Sequence, residues 1–146
     1  KVLPGCVEGY KLAYPETRFD LDISPQPIFI NGVPEYIAQL LDKLIANAVD
    51  FSYADQSVTV FSRALRDHAI IKVSNAGPYL PEEMEGRLFA SMISVRSQEK
   101  QDQPHLGMGL HIARLITEFH GGQIRAENRQ DREGVVVTVV IPLFYR

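Results

Sequence analysis

The feature that most constrains the fold is an apolar stripe at helical spacing in residues 34–50. Its members recur at separations of three and four residues: Ile37, Leu40, Leu41, Leu44, Ile45, Ala48 and Val49. This spacing predicts an amphipathic helix of about four turns. Pro34 fits the first turn of such a helix, because its missing N–H would be unpaired there. A helix with one apolar face needs a second layer to cover that face.

The rest of the chain supplies short strands and a second helix. Phe19, Leu21 and Ile23 alternate with aspartates, which predicts a half-buried strand. The other predicted elements are strands Ser57–Arg63 and Ala69–Ser74, a short helix within Pro81–Phe89, a helix Leu110–Phe119 stopped by Gly121-Gly122, and a hairpin of Gln123–Asn128 with Val135–Ile141. This order predicts an α/β fold, a two-layer sandwich whose mixed sheet carries the helices on one face. We expect the N-terminal segment or a partner to cover the other face.

Composition limits the class of protein. The 146 residues are 45% hydrophobic and 23% charged, which predicts one globular domain. The net charge of −3 gives no basic surface for nucleic acid. No apolar run approaches the roughly 20 residues of a membrane helix, so we expect no direct membrane contact. The lone Cys6 favours a reducing compartment, and no residue spacing indicates a zinc site. Because the chain begins at Lys1, we expect a fragment of a longer protein.

The first candidate motif lies on the predicted helix Pro34–Asp50. Lys43, Asn47 and Asp50 stand at positions i, i+4 and i+7, which predicts one shared face opposite the apolar stripe. An amide oxygen there suits Mg²⁺, which takes hard oxygen ligands and keeps several waters and phosphate oxygens. Taken alone, the pattern equally fits an asparagine that merely hydrates an exposed helix face.

Two further motifs combine polar residues with glycine. Asn75 ends a predicted strand, and Gly77 after it permits a tight turn with close ligand approach. The same letters also occur in Asn-x-Gly-Pro turns that bind nothing. Gly107 and Gly109 precede the predicted helix at Leu110, where backbone N–H groups and the positive helix end favour phosphate. The segment between these two motifs contains Phe89 and the polar stretch Ser97–Gln103.

These three motifs and the segment between the last two, taken in chain order, resemble the ATP-binding domain shared by histidine kinases, DNA gyrase, the heat-shock chaperone ATPases and the mismatch-repair ATPases. The resemblance is to the catalytic domain of bacterial sensor histidine kinases, and it extends from about Pro34 to Pro142. It implies a Bergerat-type ATP-binding fold with a mostly antiparallel sheet and about three helices. It also implies ATP and Mg²⁺ as ligands.

The resemblance assigns roles to individual residues. Asn47 matches the Mg²⁺ ligand, and Asn75 matches the position that accepts a hydrogen bond from the adenine amino group, where Asp is usual. Phe89 and Met92 match the base of a lid at Ser97–Gln103, with Gly107 and Gly109 as hinges. The implied catalytic residues are Asn47, Lys43 and Arg96. The implied ATP site comprises Asn47, Asp50, Asn75, Gly77, Tyr79, Leu80, Met92, Arg96, Leu106, Gly107, Met108, Gly109 and Leu110.

The motif on the first helix departs from the kinase pattern. That pattern is Asn-xxx-Asn-xx-Lys, whereas this chain reads Lys43-xxx-Asn47-xx-Asp50. Our hypothesis is that Lys43 takes over the phosphate contact. Asp50 would interact electrostatically with Lys43 or aid Mg²⁺ through water. Gyrase-like ATPases place a general-base Glu at the position of Lys43, and a protonated lysine cannot activate water as that Glu does. A second hypothesis concerns the base: if the Asn75 amide turns to suit guanine, discrimination against GTP will be weak.

The resemblance implies transfer of the γ-phosphoryl group of ATP to a histidine on a separate dimerisation hairpin. Partners would be the protein's own dimerisation and phosphoacceptor helices in a homodimer, and a response regulator downstream. The chain would be a cytoplasmic domain of a protein anchored in the bacterial inner membrane. One alternative is a serine kinase of the anti-sigma-factor type. Another is a degenerate domain that binds nucleotide, or nothing, and acts through protein contacts.

Overall fold

A computed structural model describes residues 9–25, 28, 30, 32–53, 56–79 and 104–143, with only the backbone described for 104–109. Residues 9–13 are helical. The remaining elements, in chain order, are β1 (Arg18–Asp22), α1 (Pro34–Asp50), β2 (Ser57–Leu65), β3 (His68–Asn75), α2 (Pro104–Phe119), β4 (Gln123–Asn128) and β5 (Val135–Pro142). These elements confirm the predicted alternation of strands and helices.

The five strands form one sheet in the order β1-β2-β3-β5-β4. The β1 strand runs parallel to β2, and the other three neighbouring pairs are antiparallel. The sheet is therefore mixed and mostly antiparallel, as predicted. Because β1 is an edge strand, its alternation buries Phe19 but leaves Leu21 41% exposed.

The α1 helix begins at Pro34, as its sequence predicts, and the preceding Val33 provides no side-chain cap. Its apolar stripe is the centre of the core: Leu40, Leu41, Leu44 and Ile45 are each at most 1% exposed. The stripe packs with buried residues of α2 and of the sheet, including Leu110, Val58 and Val139, in one cluster that also contains Tyr10. The helical elements therefore cover one face of the sheet.

The α2 helix begins six residues earlier than the apolar periodicity predicts. It starts at Pro104 rather than Leu110, so Gly107 and Gly109 lie within its first two turns and do not precede it. The prediction failed because Pro104 is well suited to a first helical position, while glycines weaken a helix without excluding it. The end of α2 is as predicted: Gly121 has φ 78°. Gly121 N–H donates to Glu118 and Gly122 N–H to Thr117 in a Schellman motif.

The opposite face of the sheet carries the alternate residues of each strand. On β2 these are Thr59, Phe61 and Arg63, which are half-buried, whereas Val58, Val60 and Ser62 point into the core. The guanidinium of Arg63 lies 4.9 Å from the Phe61 ring centroid, and Lys72 Nζ lies 5.6 Å from it. An antiparallel sheet with such a mixture of side chains can face water on one side. Cover of this face by the N-terminal segment or by a partner remains a prediction.

Candidate nucleotide site

Asn47 is the most unusual polar residue of α1. It is only 7% exposed, and its Oδ1 is buried and accepts no hydrogen bond from the described residues. The prediction that Asn47 lies opposite the apolar stripe was therefore wrong. Asn47 follows Leu44 by three residues and Leu40 by seven, so the helical repeat brings it to the edge of that stripe. A buried carbonyl oxygen without a donor is rare in a folded protein, and an ion or ligand is one of its few explanations.

Lys43 and Asp50 flank Asn47 on the more exposed side of α1. Lys43 is half-buried and, with Asp42 and Ala46, lines one wall of a cavity of about 540 Å³. The other wall of the cavity consists of residues from the N-terminal segment: Gly9, Tyr10, Ala13 and Tyr14. Asp50 is exposed at the last position of α1, about 10 Å along the axis from Lys43. Lys43 and Asp50 are therefore about two helical turns apart on the same side of α1.

Asn75 ends β3 and is 4% exposed. Its Nδ2 donates a hydrogen bond of 2.9 Å to the main-chain oxygen of Phe51, the C-cap residue of α1. Since a carbonyl oxygen can only accept, this bond fixes which end of the amide faces Phe51. The Asn75 oxygen is then the side-chain atom that can accept a bond from a ligand. The hypothesis of weak discrimination against GTP assumed a freely turning amide, and this bond opposes that freedom.

The turn after β3 is pressed against the end of α1. Gly77 is buried, and a Cβ atom at this position would collide with the Phe51 carbonyl oxygen. The N–H of Tyr53 donates to the Ala76 oxygen at 2.8 Å. Gly77 is therefore required by the close approach of two backbones, whereas the sequence suggested a tight turn and close approach of a ligand. Tyr79 follows the turn and is 50% exposed.

The turn between β4 and β5 also contacts Asn75, which sequence reasoning did not predict. Arg129 donates from Nη1 to the main-chain oxygen of Asn75 at 3.1 Å. Its Nε and Nη2 bind the two carboxylate oxygens of Asp131 at 3.0 and 2.8 Å. The hydrogen bond from Arg129 holds the pKa of Asp131 below its ordinary value, so the pair is intact at neutral pH. Desolvation, together with the carboxylate of Glu133, raises the pKa of the Tyr53 phenol. The sequence signal for the contacts of Arg129 was an Arg-x-Asp in a hairpin turn, which is too common to indicate a site.

Comparison with known proteins places this arrangement in a family. Residues 32–144 match the family described as histidine kinase-, DNA gyrase B- and HSP90-like ATPase. The match covers more than half of the chain and includes α1, the Asn75 turn and α2. The chain belongs to this ATPase family.

Individual relatives identify the histidine-kinase branch. Sensor protein VanSC of Enterococcus gallinarum is 36% identical over 108 residues, which are 74% of this chain and 29% of that protein. The mycobacterial sensor histidine kinase MprB has the same fold, with a TM-score of 0.81 at 19% identity over 99% of this chain and 94% of that one. Full-length ShkA in complex with AMPPNP gives a TM-score of 0.79 at 18% identity, covering 99% of this chain and 30% of ShkA. The chain is thus a catalytic ATPase domain of the sensor-histidine-kinase type, and it spans under a third of the length of VanSC.

The other predicted site residues of this ATPase domain divide into two groups. Leu110 is 1% exposed and belongs to the core, while Leu106, Gly107, Met108 and Gly109 lie on α2, where only the backbone is described. The second group lies outside the described residues: Leu80, Met92, Arg96, Phe89, the helix within 81–89 and the lid at 97–103. The described residues therefore bring together Asn47, Lys43 and Asp50 on α1 and, separately, Asn75 and Gly77 at its C-terminal end.

Two further properties of the ATPase domain come from the described residues. Within these ranges, no three His, Cys, Asp or Glu side chains are grouped as metal ligands. No helix there is long and apolar enough to span a membrane.

Proposed function

We propose that this ATPase domain binds Mg²⁺-ATP and transfers the γ-phosphoryl group to a histidine on a separate dimerisation hairpin. The observation that carries the proposal is the buried Oδ1 of Asn47, which lacks a donor among the described residues. Membership of an ATPase family whose relatives include sensor kinases supports the same conclusion. The ShkA structure, which contains AMPPNP, supports a nucleotide as the ligand.

The residues of α1 fit a magnesium ion. The neutral amide oxygen of Asn47 is a hard ligand, and Mg²⁺ needs few protein ligands when phosphates and water complete its shell. Bound there, the ion would neutralise phosphate charge. Asn47 would hold the ion from the protein side, and exposed Asp50 would reach it through water.

Asn75 supports recognition of the adenine base. With Nδ2 engaged by Phe51, the amide oxygen accepts a bond from the exocyclic amino group of adenine. Guanine and hypoxanthine present an oxygen at that position, and two acceptors repel each other. We therefore expect ATP to bind more tightly than GTP, contrary to our hypothesis from the sequence.

The phosphate groups would be held by Lys43, by Arg96 and by the backbone at the start of α2. Phosphoryl transfer depends mainly on positioning and on charge neutralisation, which these groups supply. The N–H groups left unpaired by a helix are those of its first turn. Gly107 and Gly109 each weaken a helix by about 1 kcal/mol relative to Ala. We therefore expect this end of α2 to unwind at low cost, which would direct further backbone N–H groups towards the phosphates. Their hinge role and the lid at 97–103 remain predictions.

The whole protein would contain more than this domain. We propose a single catalytic domain, residues 1–146, joined to dimerisation and phosphoacceptor helices that form a homodimer. A response regulator would accept the phosphoryl group. The domain would lie on the cytoplasmic side of an inner membrane that anchors the parent protein.

Titration calorimetry of Mg²⁺-ATP into the chain and into two α1 variants tests the proposal. We expect Lys43→Ala to lose at least tenfold in affinity, since a charge-assisted contact contributes about 1.5–3 kcal/mol. Asp50→Ala should lose affinity only when Mg²⁺ is present. Unchanged affinity in Lys43→Ala would refute the assignment of the phosphate contact. Absence of binding by the unaltered chain would refute the whole proposal.

Phosphotransfer is measured separately, with radiolabelled ATP and the protein that carries its phosphoacceptor helices. Acid-labile, base-stable label on those helices is expected for phosphohistidine. Acid-stable label would indicate a serine kinase instead.

A further inference from the structure

Arg129 differs from the other arginines of its hairpin. Its side chain is 14% exposed, whereas those of Arg125 on β4 and Arg132 in the turn are 70% and 59% exposed. All three of its guanidinium nitrogens form hydrogen bonds, two of them to the carboxylate of Asp131. A guanidinium that forms a bidentate contact with a carboxylate is held in both position and orientation. The third nitrogen is thereby aimed at Asn75.

The bond from Arg129 lies at the end of the β3–β5 pairing, where the β4–β5 turn meets Asn75. The β3–β5 ladder ends where Asn75 pairs with Val135, and Gly134 precedes that pair. A Cβ at Gly134, where φ is 153°, would collide with the Asn75 carbonyl oxygen. The N–H of Arg129 donates to the Gly134 oxygen at 2.9 Å, which closes the turn. The turn is therefore packed directly on the Asn75 backbone.

Asn75 is thus held from two sides. Its side chain donates to the Phe51 carbonyl, and its main-chain carbonyl accepts from Arg129. Hydrogen bonds weaken steeply with angle and distance, so a small shift of this residue would misplace its amide oxygen. A site built to bind a particular amino group discriminates only while its acceptor is correctly placed.

We propose that Arg129, held by Asp131, is a positioning residue that sets the nucleobase selectivity of the site through Asn75. This inference rests on the proposed function, because it requires Asn75 to contact the base. Arg129 itself contacts the Asn75 backbone and is not a catalytic residue.

The test compares affinities for ATP and for inosine triphosphate, which has an oxygen in place of the adenine amino group. Calorimetry in the presence of Mg²⁺ is performed on the unaltered chain, Arg129→Met, Asp131→Asn and the matched control Arg125→Met. We expect Arg129→Met to reduce the ATP preference about fivefold, the equivalent of one hydrogen bond. Asp131→Asn should reduce it less, and the exposed control should keep it.

If Arg129 had only a structural role, Arg129→Met would lower the affinities for ATP and inosine triphosphate together. An unchanged ratio of the two affinities would therefore overturn the inference. If Arg129→Met does not fold, as judged by circular dichroism, the Asp131→Asn ratio decides the question alone. Failure of the proposed function is distinguishable, because the unaltered chain would then bind no ATP. An unaltered chain that binds both nucleotides equally would refute base selection by Asn75, and this inference with it.

Discussion

At the residue scale, two buried asparagines show how the same side chain serves different purposes. Asn75 has a partner for its amide nitrogen, the Phe51 carbonyl, so its orientation is set before any ligand arrives. Asn47 has a buried oxygen that receives no donor from the described residues. A bond that is already made contributes to folding, whereas a buried oxygen without a donor costs free energy until a bound cation coordinates it. Of the two residues, only Asn47 is expected to trade stability for binding.

Replacing Asn47 with leucine tests this trade. The leucine side chain would fill a similar volume without a buried unsatisfied oxygen. The free energy of unfolding of Asn47→Leu without nucleotide should therefore rise by about 1 kcal/mol. The Mg²⁺-dependent part of ATP affinity should disappear. Urea unfolding and calorimetry measure the two effects.

Asn47→Asp is the control, since it keeps an oxygen ligand but introduces a buried charge. It should lose stability and retain Mg²⁺-dependent binding. A leucine variant that is less stable than the unaltered chain, or that still binds Mg²⁺-ATP, would contradict our interpretation of Asn47.

At the element scale, the end of α2 is tied to the start of α1. Val33 N–H donates to Nε2 of His120 at 3.2 Å, so Nδ1 carries the proton and donates to the Ile116 oxygen at 2.8 Å. The Phe119 ring contacts the rings of Tyr36 and His120 edge-on, at centroid distances of 5.6 and 5.2 Å. Because the Schellman motif places His120, the two glycines after it help to fix how α1 lies beside α2.

Substitutions at these glycines should differ in their effect. The Cβ added in Gly121→Ala meets only Pro142 Cγ, at an ordinary contact distance of 3.9 Å, but the backbone is left-handed, so we expect a loss of about 1–2 kcal/mol. Gly122→Ala should lose more, because its Cβ would collide with the Val140 carbonyl oxygen and force a backbone shift. Thermal unfolding followed by circular dichroism gives both values.

Gly9→Ala is the matched control for these two variants. Gly9 is helical and exposed, and nothing lies within 4 Å of its added Cβ. It should gain about 0.5–1 kcal/mol from the improved helix propensity. Equal losses in Gly121→Ala and Gly122→Ala would contradict the role of the close approach to β5.

At the scale of the whole molecule, one core unites the parts of the nucleotide site. The α1 stripe, the inner face of the sheet and buried residues of α2 form a single cluster. Asn47 lies at its edge, and Asn75 ends a strand that contributes Val73 to it. A ligand that binds both asparagines therefore contacts elements that unfold together.

Nucleotide binding should consequently stabilise the whole domain. At 100 times its dissociation constant, a ligand adds about 2.7 kcal/mol to the free energy of unfolding. For a domain of this size we expect Mg²⁺-ATP to raise Tm by roughly 5–10 °C. Differential scanning fluorimetry measures the shift, and chelation of Mg²⁺ should reduce it. No shift at millimolar Mg²⁺-ATP would favour the degenerate, non-binding alternative.

The sequence by itself determined the elements and their class. The spacing of Leu40, Leu41 and Leu44 predicted α1, and the alternation in residues 135–141 predicted β5, because periodicity is a local property of the chain. Motif order predicted the ATPase family. The start of α2 was missed because Pro104 and two glycines give opposing local signals.

Only the tertiary structure decided how the site's polar atoms are arranged. The burial of Asn47 depends on what packs around α1, and the amide orientation of Asn75 depends on Phe51, 24 residues away. The bond from Arg129 to Asn75 joins residues 54 apart. Local patterns carry no information about such partners, since they meet only after the sheet and the helices have packed.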